Sequence, residues 1–234
     1  SRADAATNPP FSSVLFIENN QGTDGSTTFS DATGNRILTP IGNAQIDTAQ
    51  FILGNSSALF DGNGDGVSLS TNIALPSTIT WSIEVWFRTR LGSYTGGTAS
   101  LRGLTLRANS GGQDALEEIF YYDTDLNNRR PFGNLGGNKD VLFRYETNLL
   151  ANTWYYFRAI NNTQTSTFKA YLGTTPGTPL IEIYSTINKR LVFGTYGYSV
   201  AAATDYMDGH VGPIRVSRNF VLPLVVPSAL FPET

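Results

Sequence analysis

Hydrophobic and polar residues alternate with a period of two along several segments of this chain. Such alternation is typical of β-strands, because successive side chains point to opposite faces of a sheet. The clearest case is TWSIEVWFRTR (80–90), in which one face carries Trp81, Ile83, Val85 and Phe87 and the other carries Ser82, Glu84, Trp86 and Arg88. We therefore expect a strand here with one face in the core.

Short β-branched and aromatic runs, separated by Gly, Asn, Asp and Pro, continue along the chain and predict further strands. The one segment with helical character, 113–120, is too short for more than a turn of helix. In 153–161 both faces carry aromatic residues, which predicts a central strand. The predicted strands are 14–18, 56–60, 66–70, 80–90, 100–108, 118–122, 140–146, 153–161, 166–173, 179–185, 190–196 and 210–217. The pattern predicts an all-β sandwich or barrel.

The composition excludes several classes of function but does not indicate a particular one. The chain has 234 residues, 40% of them hydrophobic and 15% charged, and a formal net charge of −3. This balance gives no general attraction to nucleic acid or to anionic membranes. The absence of cysteine excludes disulfides and thiolate chemistry. No apolar run reaches the length of a membrane-spanning helix, so membrane insertion is not expected.

The ends of the chain differ from its middle. The start, SRADAATNPP, lacks both an initiator Met and the pattern of a signal peptide, which indicates a processed or excised chain. We expect an N-terminal extension over 1–13, one domain over 14–219 and a C-terminal tail over 220–234. The tail is apolar and contains three prolines, so we expect it to lie across the domain or against a partner.

The stretch LFDGNGDGVSLS (59–70) has the spacing that opens an EF-hand calcium loop. An EF-hand needs a glutamate at its twelfth position and flanking helices. Here the twelfth residue is Asn72 and both flanks alternate as strands. The EF-hand interpretation therefore fails, and the stretch is instead predicted to be a tight glycine turn within a β-hairpin.

Five segments, taken in order, carry a family resemblance. They are LFIENNQG (15–22), the FDGNGDG turn with its flanks (57–70), SIEVWFR (82–88), the pair NTWYYFRAI and TFKAYLGT (152–174), and YMDGHVGPIRVSRN (206–219). Together they resemble the LamG-like jelly roll of the concanavalin A-like lectin/glucanase superfamily. The resemblance implies a two-sheet antiparallel jelly-roll sandwich. The C-terminal prolines and LFPE also resemble the ends of such domains in bacteriophage and marine viral structural proteins.

The resemblance also implies a structural Ca²⁺ site, which many superfamily members have beside the first and last strands. Its positions correspond here to Glu18, Asp61 and Gly62, and Asp65 or Asp208 could add a carboxylate. A later acid of the family pattern is replaced by Gly212, which weakens the expected site, because Ca²⁺ prefers several oxygen ligands. The alternative is an Asp-rich turn without metal.

No arrangement of residues predicts an enzyme. The glucanases of this superfamily carry two glutamates around an aspartate on one strand, whereas Glu84 stands alone in its strand. His210 is the one histidine and lies in the last strand, where a packed or surface residue is expected rather than a catalytic base. We therefore expect no catalytic residues.

Jelly-roll lectins hold sugars with aromatic rings, planar donors and loops at one rim of the sandwich. One candidate constellation is Trp86, Arg88, Tyr156 and Arg158, provided that their strands are neighbours. The alternative is that the two aromatic rings fill a packed layer covered by the arginine stems. A second candidate is the set of loops 92–98, 123–138 and 194–206, which includes Tyr196 and Tyr198.

The sequence thus leads to two functional hypotheses. The first is a non-enzymatic virion structural protein, a capsid decoration or tail-fibre component, with recognition of surface glycan as a further task. Its partners would be other virion proteins, further copies of the chain or surface polysaccharide. The alternative is a secreted or cell-surface carbohydrate-binding lectin or adhesin module. Either hypothesis implies a location on the virion surface or outside the cell.

Overall fold

The computed structural model describes residues 8–90, 106–107, 116–122, 129–135, 141–144, 150–197 and 207–234. These residues form two antiparallel β-sheets that pack face to face, preceded by a short 3-10 turn at Phe11–Ser13. The predicted all-β, two-sheet antiparallel sandwich is confirmed. Within the described ranges, no helix has the length and apolar character needed to cross a membrane.

The larger sheet has the strand order β13-β12-β11-β6-β15-β4-β3, with β1 paired to β15. Strands are numbered in chain order. Those of the larger sheet are β1 (Val14–Glu18), β3 (Gln45–Asp47), β4 (Ser57–Asp61), β6 (Trp81–Thr89), β11 (Trp154–Asn162), β12 (Thr167–Gly173), β13 (Ile181–Ile187) and β15 (Asp208–Arg218).

The smaller sheet has the strand order β10-β9-β8-β7-β14-β5-β2 among the described residues. Its strands are β2 (Leu38–Ile41), β5 (Gly66–Leu75), β7 (Leu106–Arg107), β8 (Leu116–Tyr122), β9 (Arg129–Leu135), β10 (Val141–Arg144) and β14 (Leu191–Tyr196).

The main core lies between the two sheets and follows the period-2 pattern of the strands. The side chains on one face of β6 are fully buried in this core, namely Trp81, Ile83, Val85 and Phe87. Aromatic rings join the layers across the core: Phe16 of β1 meets Phe193 of β14 edge-on, with ring centroids 5.6 Å apart. β11 lies between β12 and β6 and is buried along nearly its whole length, which confirms its prediction as a central strand.

One local prediction is wrong. The FDGNGDG turn does not close a hairpin, because β4 belongs to the larger sheet and β5 to the smaller one. Gly62 and Gly64, at φ of 84° and 82°, turn the chain from one layer to the other. The strand predicted at 118–122 is confirmed as part of β8, which begins at Leu116 and pairs with β9.

The strands β2, β3 and β9 were not predicted from the sequence, and β9 lies within the segment 123–138 that was predicted to be a loop. β2 and β3 are short and both lie at a sheet edge. β2 contains Pro40, which an edge strand tolerates because one side of its backbone needs no partner.

The tail, residues 220–234, lies on the outer face of the larger sheet. Backbone hydrogen bonds fix its first half, where Leu180 N–H donates to Leu224 O (3.0 Å) and Val226 N–H donates to Thr178 O (2.9 Å). Val226 packs on the middle of the sheet, and Phe231 packs beside β1 against Val14. The middle of the larger sheet and the part beside β1 are therefore covered by apolar side chains on both faces.

Replacement of Phe231 tests how much the packing of the tail against the sheet contributes to the stability of the domain. Its side chain is 3% exposed, and the guanidinium of Arg215 lies 4.3 Å from its ring centroid. We expect Phe231→Ala to lower the free energy of unfolding by about 3 kcal/mol, the cost of removing a buried aromatic ring. Urea denaturation measures the loss. Leu224→Ala, in the same tail but 44% exposed, is the matched control, and an equal effect of both changes would show that the tail is not docked.

Candidate functional site

The middle of the outer face is a second apolar layer. Trp86 of β6 and Tyr156 of β11 are directly paired across the sheet, and their ring centroids lie 5.4 Å apart. Both side chains are fully buried and form a cluster with Leu53 and Val226. The tail and the loop before β4 thus exclude water from this part of the sheet.

A buried ionic cluster adjoins this apolar layer. Glu84 Oε1 accepts hydrogen bonds from Arg158 Nη2 (2.8 Å) and from the hydroxyl of Tyr156. Its other oxygen, Oε2, accepts a hydrogen bond from Arg215 Nε at 2.6 Å. Arg158 Nη1 also donates to the carbonyl of Pro223 in the tail (2.7 Å). The cluster therefore ties three strands of the sheet to the segment that covers them.

The electrostatics of the cluster keep Glu84 ionised. Burial alone would raise the pKa of this carboxyl group, but the guanidinium groups of Arg158 and Arg215 hold the pKa at about 2. A carboxylate with such a pKa cannot act as a general acid near neutral pH. Its immediate partners are two guanidinium groups and a phenol, so Glu84 acts as a structural counter-ion.

Three of the four residues of the predicted sugar-binding constellation are brought together but are not accessible. Trp86, Tyr156 and Arg158 are neighbours on one face, as expected, yet all three are buried under the tail and the loop before β4. The prediction of an open aromatic–arginine groove at these residues is wrong, because the tail's own apolar residues fill it. The alternative, a packed layer, describes these three residues.

Two further candidates lie elsewhere. Tyr196 belongs to the smaller sheet and is buried in the main core, with its ring 6.0 Å from that of Phe60, so it cannot stack on a ligand. Tyr198 lies outside the described residues, as do the loop 92–98 and most of the loops 123–138 and 194–206.

An accessible part of the outer face remains beside the closed middle. One row of paired residues crosses five strands there, from Trp154 through Arg88, His210 and Leu59 to Gln45. All except His210 are half-buried, so their side chains reach the surface. We call these five residues the Arg88 row. It combines an aromatic ring, a guanidinium group and a planar amide on one surface.

His210 lies at the base of the row and is held by Asp47. His210 Nε2 lies 2.8 Å from Asp47 Oδ2, while Nδ1 faces Arg88 Nη1 at 3.5 Å. The other oxygen of Asp47 accepts the N–H of Ala49 at 2.7 Å. Burial lowers the pKa of His210 more than the hydrogen bond to Asp47 raises it, so the imidazole is neutral at pH 7. A neutral ring bound to a carboxylate carries its hydrogen on Nε2 and leaves Nδ1 as an acceptor.

The residues of the predicted Ca²⁺ site do not form one site. Asp61 and Asp208 are paired across β4 and β15, with Gly62 against Asp208 and Asp65 nearby. Glu18 is paired instead with Ile214, six residues further along β15, or about 20 Å away. Among the described residues, no group of three or more His, Asp or Glu side chains is placed to hold a metal ion.

The aspartates act as caps of the glycine turn. Asp65 Oδ2 accepts the N–H of Asp61 and Oδ1 accepts the N–H of Asn43, each at 2.8 Å. Asp61 Oδ1 accepts the N–H of Asn63 at 2.8 Å. Asp208 Oδ1 binds Arg90 Nε at 2.5 Å. These carboxylates therefore have structural partners, which are backbone N–H groups for Asp61 and Asp65 and the guanidinium group of Arg90 for Asp208.

The missing acid at Gly212 also has a packing explanation. A Cβ atom there would lie 3.0 Å from Trp86 Cβ and 3.4 Å from the ring of Trp154. A side chain at this position would require Trp86 to shift by a few tenths of an ångström. Glycine at this position therefore follows from the close packing of the two tryptophans.

Sequence reasoning did not identify the Arg88 row as a whole, although it did propose Arg88. The alternation in NTWYYFRAI places Trp154 on the same face as Tyr156 and would have identified it. Gln45 and Asp47 lie in the unpredicted strand β3, so their position could not be derived. His210 is a packed residue, as the sequence suggested, but its partner was unknown.

Comparisons with known proteins find similarity in structure rather than in sequence. No family model and no curated protein matches this sequence. Among solved structures, Trypanosoma rangeli sialidase in complex with sialic acid is similar with a TM-score of 0.55 and 11% identity, over 91% of this chain and 31% of the sialidase. The catalytic domain of the glycoside hydrolase family 131 protein from Coprinopsis cinerea gives 0.51 and 13%, over 79% and 80%.

The chain has a concanavalin A-like lectin/glucanase fold. The two-sheet antiparallel topology and these structural similarities agree on this point. The chain spans about a third of the length of the sialidase that it matches. At such low identity the similarity extends to the fold alone, and neither of these structures supports the virion role expected from the terminal sequence.

Neutralising Glu84 tests the ionic cluster. We expect Glu84→Gln to lower the free energy of unfolding by about 3–5 kcal/mol, because two buried guanidinium groups would lose their counter-ion. The matched control is Glu182→Gln, which removes an exposed ion pair with Lys169 and should cost less than about 1 kcal/mol. Chemical denaturation of the three proteins measures both changes. Equally small losses would contradict the structural role of Glu84.

The pH dependence of stability tests the environment of Glu18. Burial raises the pKa of this carboxyl group to about 8, although the N–H groups of Asn20 (2.7 Å) and Ser30 (2.5 Å) donate to it and lower the pKa. Between the unfolded pKa of about 4.5 and the folded pKa, the folded state binds more protons than the unfolded state. Glu18 therefore makes the free energy of unfolding fall as pH rises through this window.

We expect Glu18→Gln to remove this contribution, so that the variant gains stability relative to the parent from pH 5 to pH 8. Urea denaturation at four pH values across the window measures the difference. Parallel pH profiles of the two proteins would contradict the raised pKa.

Proposed function

We propose that this chain is a non-enzymatic carbohydrate-binding module and that it binds sugar on the Arg88 row. The observation that carries the proposal is the row itself, in which Trp154, Arg88 and Gln45 reach the surface together. Sugars are commonly held by an aromatic ring against their C–H face and by planar donors and acceptors around their hydroxyl groups. The Arg88 row offers both on a rigid sheet, so little ordering is needed on binding.

The proposal of a binding module rather than an enzyme rests on Glu84. Glycoside hydrolases use two carboxyl groups of different protonation state. The carboxylate in the middle of this face has a pKa of about 2 and is bound to two arginines beneath the tail. This arrangement favours a packed structural role over catalysis.

The position of the tail supports the lectin-like alternative over the virion structural role. A structural role would be favoured by an apolar terminus that docks into a neighbouring subunit. Here the buried tail residues Leu222, Val226 and Phe231 fill the face of their own domain. The fold similarity to a sialidase solved with sialic acid is compatible with sugar binding, but it covers only 31% of that protein. The proposal of sugar binding therefore rests on the residues of the Arg88 row.

A glycan array probed with the full chain tests the proposal. We expect binding to a restricted set of saccharides, and we expect Trp154→Ala to weaken it by at least about tenfold, as for a central aromatic contact. Phe220→Ala, a half-buried aromatic at the start of the tail, is the matched control and should bind as the parent does. A folded parent protein that binds no saccharide would overturn the proposal.

A further inference from the structure

Arg88 has more hydrogen-bonding capacity than the protein uses. A guanidinium group presents five N–H donors. The contact of Arg88 in the described part of the chain is with His210 Nδ1, at 3.5 Å. The Arg88 side chain is half-buried, and this burial lowers the pKa of its guanidinium group. Most of its donors therefore have no hydrogen-bond partner among the described residues.

The nearby carboxylates are already bound by other groups. Asp47 uses one oxygen for His210 and the other for the backbone of Ala49. Asp208 forms its ion pair with Arg90, at 2.5 Å. Within the described residues, neither carboxylate forms an ion pair with Arg88. Among the residues that the structure describes, the cation of Arg88 is consequently left without a direct counter-ion.

His210 positions Arg88 without neutralising it. Asp47 fixes the hydrogen of the imidazole on Nε2, so Nδ1 offers a lone pair to Arg88 Nη1. This contact restrains the guanidinium group on the sheet surface while its charge remains. Trp154, paired with Arg88 in the row and 6.3 Å from His210 between ring centroids, provides an apolar wall on one side.

We infer that the Arg88 row selects saccharides that carry a carboxylate, such as uronic or sialic acids, through an ion pair between that carboxylate and Arg88. This inference rests on the proposed carbohydrate-binding function and names its ligand class. A planar carboxylate can accept two parallel N–H bonds from one guanidinium group. The sugar ring attached to it would then lie against Trp154, which is paired with Arg88 on the neighbouring strand.

Calorimetric titration of the full chain with matched ligand pairs tests the inference. One pair is sialyllactose and lactose, and the other is trigalacturonic acid and its methyl ester. We expect the acidic member of at least one pair to bind at least about tenfold more tightly than its neutral partner. The two pairs distinguish a sialic acid ligand from a uronic acid ligand.

Variants of Arg88 assign the preference to this residue. Arg88→Gln should reduce affinity for the acidic ligand by about ten- to a hundred-fold and abolish the difference within the pair. Arg88→Lys keeps the charge but not the paired donors, so we expect an intermediate loss. Arg218→Gln, an exposed arginine at the other end of β15, is the matched control and should keep the preference. Thermal unfolding of each variant checks that it is folded.

The outcomes separate the inference from the proposed function. Equal binding of acidic and neutral partners would overturn the inference and leave carbohydrate binding in place. A preference that survives in folded Arg88→Gln and Arg88→Lys would place the anion site elsewhere and would also overturn it. Binding of no saccharide by the parent chain, on the array and in the titrations, would overturn the proposed function and the inference together.

Discussion

The interaction on which the outer face depends is the buried contact of Glu84 with Arg158 and Arg215. Three charged groups leave water at this point, and the arrangement is tolerable only because their hydrogen bonds are satisfied within the protein and the tail. The cluster makes the larger sheet a middle layer rather than an open surface. Where the tail and the loop before β4 lie, the face is interior; where they do not, it is available.

This division explains why residues of one strand have different roles. Glu84, Trp86 and Arg88 alternate along the same face of β6, yet the first two are fully buried and Arg88 is not. The difference comes from what lies above them rather than from the strand itself. The position of the proposed site is therefore a consequence of the covering segments, and its rigidity is a consequence of the sheet beneath it.

The sequence predicted the two sheets and the faces of their strands better than it predicted which residues are accessible at the surface. Period-2 alternation in β6 and β11 is a local property, so the faces of these strands and the two-sheet sandwich could be derived. The partner of each strand is a long-range property: the FDGNGDG turn reads as a hairpin locally, but the chain changes sheets there. The burial of Trp86 depends on Val226, and the contact of His210 depends on Asp47 in an edge strand that has no clear pattern. Neither relation is visible in a single sequence.

The central claim is that the tail closes the middle of this face and leaves the Arg88 row open. Acrylamide quenching of tryptophan fluorescence tests it directly, because the chain has three tryptophans, of which Trp81 and Trp86 are fully buried and Trp154 is half-buried. The account predicts that the quenchable fraction of the emission disappears in Trp154→Phe. A quenchable fraction that persists in this variant would mean that a supposedly buried tryptophan is accessible and would contradict the closed face.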